Sequence, residues 1–166
     1  MKLQQVDKAL YRQKQRKVAI IFGSIFLVLG LGIAALFRQW AGNPEGSNTM
    51  VNLAGVFTGL LITGGIFASV VAKPFFDEVR YAWNLKRQML KIQNKKHIWK
   101  EKLETGNQEA ATVLAFYYAG VTQLQFLENN EFGHKEMMDE KAVFESRCEA
   151  LGLGYDPDRF SVDMLL

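Results

Sequence analysis

The residue types that could do chemistry are few in this sequence, and their spacing does not bring them together. Cys148 is the single cysteine, so no intramolecular disulfide can form, which fits a reducing compartment. Its predicted helical setting reads as a core position rather than a reactive thiol. His97 falls among basic residues and reads as a surface residue. His134 follows Glu131 at a Glu-x-x-His spacing, but Gly133 and Asn129-Asn130 point to a turn, and one such pair lacks the ligand count of a di-metal or zinc site. Gly30-Leu31-Gly32 imitates a dinucleotide-binding fingerprint, yet it sits in an apolar run with no strand before it and carries no such meaning. There is no phosphate-binding P-loop, no nucleophile elbow and no His-Glu-x-x-His. The carboxylates from Glu101 onward are spaced like a solvated helical face. With no nucleophile and base converging, the sequence predicts no catalytic residue, no metal, no cofactor and no enzyme.

What the sequence does arrange is small residues and cations. Gly55-x-x-x-Gly59 is a small-xxx-small pair, and Gly30-x-x-x-Ala34, Gly64-x-x-x-Ala68 and Gly65-x-x-x-Ser69 repeat the spacing. Small residues let helix backbones approach closely, which is how lipid-embedded helices associate. Two arrangements satisfy this: packing within one hairpin, or packing between subunits. Lys8, Arg12, Lys14, Arg16 and Lys17 precede one apolar stretch, and Lys73, Arg80, Lys86 and Arg87 follow another. These cations are expected either to fix topology or to meet lipid headgroups.

The elements that position these groups follow from hydropathy. The overall apolar content of 49% averages two populations. Residues 18–37 are 20 without a charge, 16 of them apolar; residues 50–72 are 23 without a charge, 15 of them apolar. At about 1.5 Å rise per residue, each helix would cover the ~30 Å of a hydrocarbon core. In lipid the backbone must satisfy its own hydrogen bonds, so both stretches are predicted to be helices. The first has a basic leader, but it is longer than a signal-peptide core and no A-x-A-like site follows, so an uncleaved helix is the better reading. Neither stretch contains an ionisable residue, which argues against a proton-coupled carrier and leaves open a pore lined by small or polar groups. Asn52 is the most polar side chain there; Ser24, Thr58, Thr63 and Ser69 can bond their own helix backbone.

Charge is divided sharply along the chain. Residues 1–17 carry a local +5, residues 73–100 a local +6 and residues 101–166 a local −8, leaving the overall +3. Both basic flanks are expected on the cytoplasmic side, with the turn-rich loop 38–49 opposite. Leu3, Val6 and Leu10 fall on one helical face, so residues 1–17 form either a short amphipathic helix on the anionic leaflet or a simple topology signal. A dispersed basic helix explained by the membrane gives no reason to expect nucleic acid.

Beyond the second apolar stretch the periodicity predicts three helices. The first runs from Val79 to Leu103 with Val79, Ala82, Leu85, Met89, Ile92, Trp99 and Leu103 on one face, interrupted by Lys96. A break at 105–107 is signalled either by a Thr105/Gln108 capping box or by an Asn107 cap. The second, 108–127, places Val113, Phe116, Tyr117, Val121, Leu124 and Leu127 together. The third, 135–151, turns Met137, Met138, Ala142, Phe144, Cys148 and Leu151 inward. Asp156-Pro157 reads as a cap and first-turn proline, and residues 160–166 are apolar enough to dock.

The hairpin layout, together with Glu78-Val-Arg-Tyr-Ala-Trp-Asn-Leu-Lys-Arg-Gln-Met-Leu-Lys-Ile92 and Phe116-Tyr-Tyr-Ala-Gly-Val-Thr-Gln-Leu-Gln-Phe-Leu-Glu-Asn-Asn130, resembles a family of small bacterial inner-membrane proteins with two transmembrane helices, classed as a domain of unknown function. The resemblance covers nearly the whole chain. It implies a bacterial inner-membrane location and supplies no activity and no site residues.

The expected architecture is therefore all-α and integral to a membrane. It comprises a basic cytoplasmic segment 1–17, transmembrane helices 18–37 and 50–72 around a periplasmic loop 38–49, and a cytoplasmic helical domain 73–166 of about three helices. Both termini are expected in the cytoplasm. The expected function is that of a non-enzymatic accessory or scaffold protein working through helix–helix contacts, its partners the phospholipid membrane and either itself or another membrane protein. A homo-oligomeric channel or transport component is the alternative, and an anionic-lipid surface sensor the second.

Overall fold

The computed structural model describes residues 1–165. Among them every regular element is helical: α1 (Lys8–Ala41), α2 (Thr49–Val70), α3 (Asp77–Asn94), α4 (Lys96–Glu104), α5 (Gln108–Glu128) and α6 (His134–Ala150), with single 3₁₀ turns at Pro74–Phe76, Pro157–Arg159 and Val162–Leu165. The chain divides into two compact units. One is Gln13–Glu78; the other joins Met1–Arg12 to Val79–Leu166.

In the first unit, α1 and α2 are both long and apolar enough to cross a membrane, with mean hydropathies of 2.6 and 1.9 over their most apolar stretches. α1 starts well before the apolar run. Its leading Lys, Arg, Gln and Ala residues are good helix formers, and Asp7 accepts a bond from the Leu10 amide at 2.7 Å, capping the first turn. The loop after α1 is tied by asparagines: the Asn43 amide donates to Asn48 Oδ1 at 2.7 Å, and Asn48 Nδ2 returns a bond to the Asn43 carbonyl at 3.0 Å. Beyond α2, Lys73 is extended at φ −71° and ψ 150°, as a residue before proline prefers, and Pro74 opens the 3₁₀ turn. Phe22, Phe67 and Phe76 cluster with ring centroids 5.0 to 6.3 Å apart.

The second unit is built around α5. Ala110 through Tyr118 are all buried, so this stretch is enclosed on every side rather than along the single face that periodicity suggested. Asn107 is the cap, accepting from the Ala110 amide at 2.9 Å. Tyr81, Ala82, Leu85, Met89 and Ile92 of α3 and Trp99 and Leu103 of α4 belong to the same core. Gly120 permits close approach here: a Cβ on it would stand 2.6 Å from Met89 Sδ.

Among the described residues four α-helices, where about three were expected, follow the apolar pair. The expected single helix over 79–103 breaks at Lys95, whose backbone leaves the helical region (φ −111°, ψ 12°). No apolar residue lies between Ile92 and Ile98 to hold the helix straight against the core. In α6, Met137, Phe144 and Cys148 face inward as expected, but Met138 and Ala142 are exposed, because α6 packs with a narrower stripe. Phe160 is buried and stacks on Phe116 with centroids 3.9 Å apart and planes 8° off parallel. Val162, Met164 and Leu165 pack against the core; Leu166, within the segment expected to dock, lies outside the described residues.

The N-terminal residues differ most from expectation. Residues 1–7 form no helix. They lie as a strap on the second unit, with Met1, Leu3 and Val6 packed against its core and Tyr11 inside it. Tyr81 Oη accepts from the Gln4 amide at 2.9 Å and donates to Gln123 Oε1 at 2.7 Å, while Gln123 Nε2 donates to the Gln4 carbonyl at 2.5 Å. Leu3 and Val6 are therefore committed to protein, not to a lipid-facing amphipathic helix.

Candidate functional site

The small residues divide into two sets. Gly55 faces Ala34 and Gly59 faces Gly30: a Cβ built on Gly55 would stand 2.4 Å from Ala34 Cα, and one on Gly59 would stand 2.6 Å from Gly30 Cα. The two backbones thus touch along one antiparallel seam, and only glycine fits there. Thr63 continues the seam, buried, its hydroxyl donating to the Gly59 carbonyl at 2.8 Å. Gly64 and Gly65 have nothing within 4 Å, and Ala68 and Ser69 are exposed, Ser69 donating to the Ile66 carbonyl at 2.7 Å. Thr58 likewise bonds the Ala54 carbonyl at 2.8 Å.

The basic residues expected at headgroups also divide. Lys14 bonds Glu78 at 2.5 Å, and this contact holds the Glu78 carboxyl below its usual range. Lys8 bonds Asn129 Oδ1 at 3.0 Å and lies over the Phe126 ring, and Lys86 pairs with Glu128 at 2.8 Å. Arg12, Arg16, Lys17, Lys73 and Arg87 are exposed, and Arg80 is half-buried.

No sequence pattern announced the apolar cleft of the helical unit. A cleft of about 440 Å³ opens between α4, α5 and α6. Leu103, Leu114, Tyr118, Val143 and Phe144 supply its apolar lining, and Lys100, Glu104, Glu136, Asp139, Glu140 and Arg147 its rim. Much of that rim is already paired. Glu140 accepts from Lys96 at 2.7 Å with Lys100 3.7 Å away, and Arg147 meets Glu104 at 2.5 Å. The Tyr118 hydroxyl donates to Glu140 Oε2 at 3.5 Å. The Lys96 contact holds the Glu140 carboxyl low, while burial, reinforced by the Glu140 charge, pushes the Tyr118 phenol far up. At neutral pH the first is ionised and the second protonated. The cleft residues were invisible in the sequence because they come from three helices.

The candidate reactive groups are placed apart from this cleft or from one another. Cys148 is fully buried and its thiol is pushed up by that burial. His97 is exposed. His134 Nδ1 lies 2.7 Å from Gln125 Oε1, at the start of α6 just after the Asn129–Gly133 turn. Gly30 and Gly32 sit within α1, where no strand or phosphate loop exists.

A family model described as protein of unknown function (DUF3087) matches residues 1–165. No curated protein and no solved structure matches the chain.

Proposed function

The chain belongs to the DUF3087 family, and from its own geometry we propose that it is a non-enzymatic accessory or scaffold protein of the bacterial inner membrane. In this reading α1 and α2 cross the bilayer as a hairpin, both termini are cytoplasmic, and the helical unit recruits another protein. Only 11% and 17% of the apolar stretches of α1 and α2 are buried within the fold, so the remainder needs an apolar medium rather than water. The cation-rich flanks and the sparsely charged loop around Asn43–Asn48 support cytoplasmic termini.

The observation that carries the scaffold reading is the cleft between α4, α5 and α6. Glu104 and Glu140 on its rim are paired with Arg147 and with Lys96 and Lys100, Glu136 and Asp139 leave it acidic, and its lining is apolar, with Val143 70% exposed at its edge. Such a groove suits the apolar face of a partner helix better than a reacting small molecule. The test is native mass spectrometry of the chain after gentle solubilisation, with Val143→Glu beside it. A complex that the wild-type chain keeps and the variant loses supports the reading. A lone monomer, or a complex indifferent to Val143→Glu, overturns it.

One observation favours a second reading, a homo-oligomeric transport component. Gly64 and Ala68 lie one turn apart on α2, away from the seam, with Gly64 open on its Cβ side. That small-residue pair is suited to packing against another copy. A reconstituted chain that passes no current or solute under voltage or tension would rule this out.

A further inference from the structure

We propose that the outward stripe of α3, Trp83 and Leu90 flanked by Lys86, Arg87 and Lys91, docks on the anionic headgroup region of the membrane leaflet. The proposal rests on the membrane reading above and adds a lipid contact to it. Tyr81, Ala82, Leu85, Met89 and Ile92 turn one face of α3 into the protein core. Trp83 and Leu90, seven residues apart and so stacked two turns along the same side, remain 55% exposed each. Sequence periodicity missed them because they fall off the core stripe. Arg87 lies one turn from Trp83, and Lys86, Arg87 and Lys91 are all exposed. Lys86 keeps its bond to Glu128 with half of its side chain still in solvent. From Val79 to Asn94 the helix contains no acidic residue at all.

An apolar pair ringed by cations has few matching surfaces. A leaflet supplies negative charge at the headgroups and apolar depth beneath, and an indole fits that boundary with its ring in the apolar part and its N–H toward water. Tethering favours the same occupant. α3 begins at Asp77, seven residues after α2 ends at Val70. Even a fully extended connection of that length spans only about 25 Å. A crossing α2 therefore keeps α3 within reach of the headgroups it would bind.

The test uses the full chain reconstituted in vesicles of phosphatidylethanolamine with phosphatidylglycerol, and in vesicles of phosphatidylcholine alone. W40F/W99F leaves Trp83 as the sole indole. Because Trp99 is buried and its replacement could disturb the fold, a nitroxide on Leu90→Cys in a Cys148→Ala background gives an independent depth measurement. The expected result is quenching of Trp83 by brominated acyl chains, and contact of position 90 with lipid, in the anionic vesicles. R87Q/K91Q should lower the ratio of docked to undocked α3 by roughly thirtyfold, corresponding to about 1 kcal/mol per cation near an anionic surface. A chain that resists alkaline extraction while Trp83 is quenched only by aqueous iodide overturns the proposal and leaves the membrane reading standing. A chain released by alkaline wash overturns both. Shielding of Trp83 that follows protein concentration rather than anionic lipid identifies a protein interface instead, and overturns the lipid assignment.

Discussion

The glycines of α2 allow one substitution to be compared with itself at different positions of the same helix. In Gly55→Ala and Gly59→Ala the new methyl would stand 2.4 Å and 2.6 Å from the Cα atoms of Ala34 and Gly30, in contact with backbone rather than a movable side chain. Carbon atoms rest about 3.5–4.0 Å apart, so α1 and α2 must separate by about 1 Å. A gap of that size forfeits a quarter to a half of each contact across the seam, and overpacking of this kind costs about 1–3 kcal/mol. Replacing a mid-helix glycine by alanine also returns up to ~1 kcal/mol of helix propensity. That return is common to all four positions, whereas Gly64→Ala and Gly65→Ala meet nothing within 4 Å. The difference between the two pairs is therefore the overpacking alone, a factor of about 5 to 150 in the folding equilibrium. Titration of the reconstituted chain with a denaturing detergent, read by a fluorophore pair at the two ends of the hairpin, measures it. If Gly55→Ala and Gly59→Ala prove as stable as Gly64→Ala and Gly65→Ala, the close seam described above does not exist.

Other perturbations reach the second unit. Phe160→Ala should cost about 3 kcal/mol, since a buried ring stacked 3.9 Å from Phe116 is lost; thermal unfolding of the full chain reads this. Tyr81→Phe removes the hydroxyl that joins Gln4 to Gln123 and should cost about 1–3 kcal/mol, seen as faster amide exchange at Gln4 while α5 remains protected. Glu78 and Glu140 are held below the ordinary 4.5, so the folded state binds fewer protons than the unfolded chain. Their contribution is fully present above that value and lost as pH falls through the depressed folded values; Glu140→Gln should flatten this acid limb in a stability–pH series. Tyr118 has the opposite sign: its raised phenol contributes below pH 10 and loses that contribution as pH rises further, so Tyr118→Phe should flatten the alkaline limb.

Some of this was legible before any coordinates. A run of apolar residues without charge has one helical solution, so α1 and α2 could be located, as could the cap at Asp156 and, as one of two alternatives, the cap at Asn107, where side chains begin the next helical turn. Local signals failed where tertiary contacts decide. Lys95 breaks a helix whose period continues, because nothing apolar binds residues 93–97 to the core. Leu3 and Val6 have helical spacing yet lie in a non-helical strap, because Tyr81 and Gln123 offer the backbone of Gln4 a better set of bonds. Ala110–Tyr118 is apolar nearly all round, with only Thr112 among its small residues polar, and α4, α6 and the turn at Pro157–Arg159 pack against α5 where a single face was expected. The seam partners Gly30 and Gly59 share a spacing with Gly64 and Gly65, and only the third dimension separates the pairs. The cleft draws on three helices, so no window of sequence contains it.

The strap also sets an order of events. A chain synthesised from its N-terminus completes α1 and α2 long before Gln123 exists, and the two bonds that hold Gln4 bridge sequence separations of 77 and 119 residues. Closure over such distances is slow beside the formation of a local helix. Gln4 must therefore wait for Tyr81 and Gln123, with the apolar hairpin between them in the chain while it waits. A fragment cut at Val79 would carry most of α3 and all of α4 to α6 yet leave Tyr81 and Gln123 without Gln4, and would uncover the apolar surface that Leu3, Val6 and Tyr11 occupy. Excising the hairpin to make a smaller protein thus removes part of the core of what remains.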